Sequence, residues 1–182
     1  MKREKKVQEI HEINKKTSTI LVLLSGVFLI FLDQLSKMLA VAFLKGEAAV
    51  ELIPRVFELC YLENKGAAFG LLQGGRLFFI ILTMIILLIF ICFYIKIPFS
   101  SRFTPLRITY VVFSAGAIGN FIDRIINGYV IDFFYFKLIH FPVFNIADIY
   151  VTCSCIVFFV LLIFKYKDPD FELLFPTKKK KV

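Results

Sequence analysis

The stretch from Gly119 to Phe133 reads GNFIDRIINGYVIDF and joins a long apolar run to a chain reversal. It contains Asp123 and Asp132 in a chain that is 59% hydrophobic. Charged groups in such a setting need a partner or a function. Asn127-Gly128 is a turn signal that predicts the end of a helix. Asp123 is therefore predicted on the helix, whereas Asp132 is predicted beyond it, in a short extended segment.

The composition is that of an integral membrane protein. Hydrophobic residues make up 59% of the 182 positions, whereas a soluble domain has about 45–50%. The net charge of +8 comes from Lys and Arg grouped at both ends and in one middle segment. This grouping is typical of cytoplasmic segments beside membrane spans and argues against nucleic-acid binding. The run Lys178 to Lys181 is expected to be a solvated tail near anionic lipid.

Four apolar runs are each close to the length of about 20 residues that crosses a bilayer. They predict transmembrane helices over residues 19–44, 77–95, 108–124 and 148–165 of a single all-α membrane domain, residues 1–182. With the positive segments in the cytoplasm, both charged termini are cytoplasmic, and residues 45–76 and 125–147 are extracytoplasmic. The charged N-terminus and the length of the first apolar run argue against a cleavable signal peptide.

The two outer segments are not uniformly hydrophilic. Val50 to Ile53 and Val56 to Leu62 are short apolar or alternating runs, so they predict a small β-rich element on the membrane surface. Asn64-Lys65-Gly66 predicts a turn, and Ala67 to Gly70 is a segment of small residues that a backbone or a ligand could approach closely. His140 to Phe144 is predicted to be a loop.

Polar side chains from three of the four predicted spans meet at one membrane depth. Helix rise and span direction bring to the outer half of the membrane Asp33 and Lys37 of the first span, Asn120, Asp123 and Arg124 of the third, and Asn145 and Asp148 of the fourth. Ionisable residues inside spans are costly, so their convergence marks a candidate functional site.

Two of these groups contain their own counter-charge. Asp33 and Lys37 have i, i+4 spacing, so they can pair on one helix face, and a structural ion pair is the favoured interpretation. Asp123 has Arg124 as its neighbour, and compensation by that cation predicts a structural role for the carboxylate. Arg124 is expected either to donate to substrate carbonyls or to hold the loop that follows.

Asp132 and Asp148 have no such local cation. Each alone is as compatible with a helix cap or a solvated position at the membrane edge as with catalysis. Brought together, two uncompensated carboxylates share one proton, so that one acts as a base towards water and the other as an acid. That is the chemistry of an aspartic protease.

Other functions have weaker support in the sequence. No HExxH or GxSxG motif occurs, which argues against zinc proteolysis and a serine hydrolase, and Ser36 beside Lys37 is a weak Ser–Lys dyad. Cys92, Cys153 and Cys155 lack metal-site spacing and are interpreted as small packing residues. The alternative is a non-catalytic small membrane carrier or lipid-binding subunit, although a proton or ion relay should have polar groups through the full membrane depth.

The chain resembles the bacterial lipoprotein signal peptidases, also called signal peptidase II or prolipoprotein signal peptidases. Four blocks in the family order carry the resemblance: Asp33-Gln34-Leu35-Ser36-Lys37, Glu63-Asn64-Lys65-Gly66-Ala67-Ala68-Phe69, Gly116 to Arg124 with Val130-Ile131-Asp132-Phe133, and Phe144-Asn145-Ile146-Ala147-Asp148. They extend over residues 33–148, nearly all of the chain between its charged ends, so the match is highly specific.

The resemblance implies an intramembrane aspartic endopeptidase that removes signal peptides from prolipoproteins before the diacylglyceryl-modified cysteine. It implies four transmembrane helices with a β-cradle on the extracytoplasmic side of the bacterial inner membrane. We expect a monomer in contact with membrane lipids, inhibited by globomycin and without a metal or organic cofactor. The implied catalytic residues are Asp132 and Asp148, the implied substrate-binding residues are Asn64, Asn120, Arg124 and Asn145, and the supporting residues are Asp33, Lys37, Gly66, Asp123 and Ala147.

Overall fold

The computed structural model describes residues 2–66 and 75–175. The helices are α1 (Lys2–Leu44), α2 (Arg76–Tyr94), α3 (Thr104–Ile126), α4 (Ile146–Val160, continued by a π-helical turn Leu161–Lys165) and α5 (Asp168–Leu174), and the strands are β1 (Val50–Ile53), β2 (Phe57–Asn64) and β3 (Val130–Phe136). Short 3-10 turns lie at Ser101–Phe103 and Lys137–Ile139. The small-residue segment Ala67 to Gly70 and the basic run Lys178 to Lys181 lie outside the described residues.

Four helical stretches are long and apolar enough to cross a membrane: Thr19–Leu44, Arg76–Tyr94, Ser101–Ile126 and Ile146–Lys165. α1 continues back to Lys2, so the charged N-terminal residues extend the same helix. The third stretch begins earlier than residue 108, where it was predicted to start, since a 3-10 turn leads into α3 at Thr104. Pro105 fits the first turn of α3 because its missing N–H would have no helical acceptor there.

α3 is the central helix and packs against α1, α2 and α4. Small residues let its backbone approach its neighbours closely. A Cβ added at Gly116 would lie 2.5 Å from the carbonyl oxygen of Ala147, at the start of α4. A Cβ added at Gly119 would clash with the Asp33 carboxylate of α1. The two glycines therefore fix how α1 and α4 sit against α3.

The three strands form one antiparallel sheet in the order β1-β2-β3, which confirms the predicted β-rich element. Leu62 of β2 faces Asp132 of β3, and Asn64 faces Val130, with a register irregularity between Leu59 and Leu62. The pairing therefore brings the end of β2 beside the start of β3.

A turn at Gly128 connects α3 to β3. Gly128 has φ +85°, a left-handed backbone conformation that residues other than glycine rarely adopt. After β3, residues 140–145 form the predicted loop, which pairs with β3 through an isolated bridge between Phe134 and Phe144. Both ends of β3 are therefore tied to neighbouring elements.

The end of the bundle opposite the sheet has its own core, which the sequence did not predict. Ile97, Phe103, Leu106, Tyr166 and Leu174 are buried there. α5 folds back against this core and is held by ion pairing between Arg102 and Asp170. Because α5 is a short helix rich in acidic residues, its stability depends on these tertiary contacts. Its sequence has no periodic apolar pattern from which the helix could be predicted.

Candidate active site

A buried charge cluster lies where α1, α3 and α4 meet. The Lys37 ammonium is 3.0 Å from a carboxylate oxygen of Asp33 and 3.0 Å from one of Asp123, and the three side chains are at most 2% exposed. The Asp33–Lys37 pair has the predicted i, i+4 geometry. The expectation that Arg124 compensates Asp123 is wrong, because the cation beside Asp123 is Lys37 of α1. We call Asp33, Lys37 and Asp123 the Lys37 cluster.

The Lys37 cluster also holds two backbone segments that lead into the site. Asp33 accepts a hydrogen bond of 2.9 Å from the backbone N–H of Ala147. Asp123 accepts one of 3.1 Å from the backbone N–H of Ile131. Ala147 precedes Asp148 and Ile131 precedes Asp132, so each carboxylate of the cluster positions the residue before one of the predicted catalytic aspartates.

Gln34 links the two carboxylates of the cluster and is a contributor whose role sequence reasoning missed. Its side-chain amide donates to Asp33 and to Asp123, each at 3.1 Å, and to the carbonyl oxygen of Gly119 at 3.2 Å. Its place beside Asp33 in the first motif was the only sign of this role. Gln34 therefore satisfies the Asp123 carboxylate oxygen that Lys37 does not contact, and it shares one oxygen of Asp33 with Lys37.

Asp132 lies in β3 and its carboxylate is contacted only by amides among the described side chains. The Asn145 amide donates to one oxygen at 2.7 Å, and the Asn64 amide donates to the other at 2.8 Å. The β2–β3 pairing brings Asn64 to this position. The side-chain oxygen of Asn64 accepts a hydrogen bond from the backbone N–H of Gly66. Gly66 thus orients Asn64.

Asp148 lies in the first turn of α4 and is part of its N-terminal cap. Asn145 precedes the helix in extended geometry, and its side-chain oxygen accepts from the N–H of Asp148 at 3.0 Å. The Asp148 carboxylate accepts in return from the N–H of Asn145 at 3.1 Å. Its other oxygen accepts from the Asn120 amide at 2.8 Å. The cap geometry is one of the ordinary roles expected for Asp148, and it coexists with exposure of the carboxylate to the cavity described below.

Asn120 connects the Lys37 cluster to the aspartate pair. Its side-chain oxygen accepts from Lys37 at 2.9 Å and from Asn145 at 3.1 Å. Because the oxygen faces these donors, the amide nitrogen must point to Asp148. Asn145 in turn donates to Asp132, so both aspartates belong to one hydrogen-bond network that starts at a buried cation.

The ionisation of Asp132 is strongly disturbed by its surroundings. Burial and the neighbouring charge of Asp148 raise the pKa of Asp132 to about 7, against the opposing effect of the Asn64 and Asn145 donors and of Lys37. A carboxyl group with such a pKa holds a proton in mildly acidic conditions and releases it near neutrality. Perturbed carboxyl groups of this kind are typical of catalytic sites.

Arg124 lies beside the aspartate network, and Arg76 holds the end of α3 that carries Arg124. The Arg124 guanidinium lies 4.9 Å from the ring centre of Phe79 and donates at 3.4 Å to the backbone oxygen of Asn120. Arg76, at the start of α2, donates to the carbonyl oxygens of Arg124 at 2.8 Å and Ile125 at 2.6 Å. These are among the last carbonyls of α3, which lack helical partners. Arg76 is a contributor that no sequence motif indicated.

A cavity of about 430 Å³ joins these side chains at the sheet end of the bundle. The polar residues on its wall are Asn64, Asn120, Arg124, Asp132, Asp148 and Thr152. Gly66 also lines it, and the rest of the wall is mainly apolar, with Phe141, Phe144 and Ile149. Asn145 is fully buried behind this surface, as are Ala147 and the Lys37 cluster. Cys153, interpreted from the sequence as a small packing residue, lines the cavity, because it lies one turn beyond Ile149 on the same face of α4.

A family model described as signal peptidase (SPase) II matches residues 25–164. The lipoprotein signal peptidase of Caldanaerobacter subterraneus subsp. tengcongensis is 43% identical over 139 residues, which cover 76% of this chain and 92% of that protein. The lipoprotein signal peptidase of Brevibacillus brevis is 41% identical over 124 residues, 68% of this chain and 82% of that protein. A solved bacterial membrane enzyme with 31% sequence identity matches with a TM-score of 0.68, over 89% of this chain and 94% of its own.

Proposed function

The chain belongs to the signal peptidase II family, and from that membership and the geometry of the cavity we propose how its residues act. It is a multi-pass membrane protease that removes signal peptides from prolipoproteins. The non-catalytic carrier is not favoured, because the family is enzymatic.

The catalytic pair is Asp132 and Asp148. The observation that carries this proposal is that both carboxylates line one cavity and are joined by the same two asparagine side chains. Neither makes an ion pair with a cation among residues 19–66 and 75–175. Two carboxylates in one cavity without a bound cation are suited to sharing a proton.

Asp132 holds the shared proton in the resting enzyme, in keeping with its raised pKa of about 7. Asp148 takes a proton from water as the water oxygen bonds to the scissile carbonyl carbon, and Asp132 gives its proton to the carbonyl oxygen. When the C–N bond breaks, the proton on Asp148 moves to the departing amine and a hydroxyl proton of the diol returns to Asp132. Both aspartates regain their initial states, and no covalent enzyme intermediate forms.

Asn64, Asn120 and Arg124, which line the cavity, hold the substrate backbone, whereas Asn145, predicted to bind substrate but buried behind the wall, holds the Asp132 carboxylate. Arg124 supplies a fixed cation on the cavity wall near the developing charge, where a positioned donor is most effective. The three asparagines fix the carboxylate planes through the bonds described above. Asp33, Lys37, Asp123 and Ala147 support these positions from behind the wall, and Gly66, on the wall itself, orients Asn64.

The substrate class is a prolipoprotein whose cysteine carries a diacylglyceryl group, cut just before that cysteine. Large apolar side chains at the cavity rim, including Phe141 and Ile149, suit a lipid-modified peptide entering sideways from the bilayer. We place the protein in the bacterial inner membrane as a monomer with both termini in the cytoplasm and the sheet on the extracytoplasmic side. The grouped cations at the ends of the sequence support this orientation.

Replacement of each aspartate by asparagine tests the catalytic pair. In Asp132→Asn and Asp148→Asn, we expect the rate of cleavage of purified diacylglyceryl-modified precursor to fall about 10²–10⁴-fold, because the proton transfers are lost. Asp168→Asn is the matched control, since Asp168 is exposed on α5 at the opposite end of the bundle. Thermal melting in detergent should show that all three variants are folded.

Full activity in either dyad variant would overturn the assignment. Inhibition of wild-type cleavage by globomycin provides a separate check that the measured activity is that of signal peptidase II. Globomycin-insensitive cleavage would mean that a contaminating protease was measured or that the substrate enters another site.

A further inference from the structure

A second cavity, of about 290 Å³, lies at the end of the bundle opposite the sheet. Apolar side chains of four helices line it, among them Phe90 of α2, Tyr110 of α3, Phe158 of α4 and Phe171 of α5. Ile89 and Phe93 at its edge are exposed, so the cavity opens to the exterior of the bundle. None of its lining residues lines the active-site cavity.

Of the described residues that line this cavity, Lys96 alone is charged. It follows α2 directly, is exposed, and its ammonium lies 5.9 Å from the ring centre of Phe93. Among residues 19–66 and 75–175, no carboxylate lies within ion-pair distance of it. An apolar cavity with one uncompensated cation at its mouth has the shape and charge of an amphiphile site, with an anionic head at Lys96 and a hydrocarbon tail inside.

α5 forms the floor of the cavity and is fixed there by the ion pair between Arg102 and Asp170. Arg102 bonds both oxygens of that carboxylate and also the carbonyl oxygen of Lys165. Asp170 is therefore already paired and does not compensate Lys96. The floor is a built surface, since Phe171, Leu174 and Phe175 of this segment all line the cavity.

The positive charge at the mouth of the cavity distinguishes between a peptide, a zwitterionic lipid and an anionic lipid as its occupant. The same end of the chain carries Lys165 and Lys167, and the sequence continues to Lys178–Lys181. The positively charged N-terminal region of a signal peptide is not a partner for the Lys96 ammonium, because the two charges have the same sign. A zwitterionic lipid carries no net charge for Lys96 to attract. Basic pockets between membrane helices on the cytoplasmic side suit anionic lipid headgroups.

We propose that this cavity binds one anionic phospholipid, with the headgroup phosphate paired to Lys96 and an acyl chain seated between α2, α4 and α5. The site is separate from the catalytic cavity, so its existence does not depend on the dyad assignment. The bound lipid would fill the space below the active site and hold α5 against the helices that carry Asp148 and Arg124.

Electron spin resonance of the full-length protein in lipid nanodiscs tests the proposal. Spin-labelled phosphatidylglycerol is expected to show an immobilised population with about fivefold stronger association than spin-labelled phosphatidylcholine, the ratio expected for one lysine near a headgroup. Lys96→Gln should abolish that preference. Lys167→Gln is the matched control, because Lys167 is exposed at the same end and does not line the cavity.

Filling the cavity gives a second, charge-neutral test. Ile89→Trp is expected to displace the immobilised lipid, whereas Ile85→Trp is its control, one helical turn away with 50% exposure against 48% for Ile89. Equal preference in wild type and Lys96→Gln, or an equal loss in Lys167→Gln, would overturn the proposal in favour of diffuse attraction to the basic end. Retention of the immobilised lipid in Ile89→Trp would overturn it as well.

Discussion

Two pairs of aspartates lie side by side in this molecule and have opposite surroundings. Asp33 and Asp123 share the Lys37 ammonium at 3.0 Å each, and all three side chains are buried. Asp132 accepts from the Asn64 and Asn145 side chains, Asp148 accepts from the Asn120 side chain and the Asn145 backbone N–H, and both carboxylates face a cavity. A cation compensates the first pair and makes it structural, whereas amide donors leave the second pair free to exchange a proton. The structural pair and the catalytic pair therefore differ more in the type of hydrogen-bond donor beside the carboxylates than in their burial.

Removal of the Lys37 charge is expected to have the largest effect on stability. Lys37→Met leaves two buried carboxylates without a cation, which costs about 3–5 kcal/mol in the free energy of unfolding. Lys45→Met is the control, because the Lys45–Glu63 pair is exposed to solvent and contributes little to stability. Denaturation in detergent measures both variants. If Lys37→Met is as stable as Lys45→Met, the Lys37 cluster is not a structural element.

The next largest effect is expected from Gly119→Ala. The added methyl group would meet the Asp33 carboxylate, which Lys37 and the N–H of Ala147 hold in place. Such overpacking costs about 1–3 kcal/mol and should lower the melting temperature. At Gly26 the corresponding methyl group meets only a Val111 side-chain carbon at 3.0 Å, so Gly26→Ala should melt closer to wild type. The reverse order would contradict the tight α1–α3 contact.

Much of this arrangement could be predicted from the sequence because it follows from local pattern. Hydropathy located the four apolar helices, alternation located the sheet, and the i, i+4 spacing located the Asp33–Lys37 pair. Long-range choices could not be predicted: Asp123 lies beside Arg124 in sequence but pairs with Lys37 of another helix. Arg76 and α5 were missed for the same reason, since their partners are the end of α3 and Arg102, far away along the chain.

The pH dependence of cleavage follows from the aspartate pair. With a raised pKa of about 7, Asp132 keeps its proton below that pH and loses it above. If protonated Asp132 is the acid, turnover measured with saturating precursor should fall about tenfold per pH unit above about 7. Folding responds in the same direction: the folded state binds this proton more tightly than the unfolded chain, so Asp132 stabilises least once the pH exceeds about 7. A rate that rises through this range would give the acid role to Asp148.

A smaller effect is expected when one amide donor of Asp132 is removed. The Asn64 hydrogen bond favours the ionised form and lowers the pKa of Asp132, so Asn64→Ala should move the alkaline limb of the rate profile to a higher pH. Loss of one such bond is worth about 0.5–1.5 kcal/mol, so the variant should remain folded. A limb that stays in place or moves to lower pH would show that Asn64 does not tune Asp132.

The most direct test compares the two aspartates of the segment Gly119–Phe133 in one experiment, with cleavage rate and melting temperature measured for Asp123→Asn and Asp132→Asn. Asp123→Asn should lose about 1.5–3 kcal/mol of stability, because Lys37 loses one of its two carboxylates. Its melting temperature should fall at least as markedly as its turnover. Asp132→Asn should melt near wild type and cleave about 10²–10⁴-fold more slowly. A stable but inactive Asp123→Asn, or a fully active Asp132→Asn, would contradict the division between a structural and a catalytic aspartate.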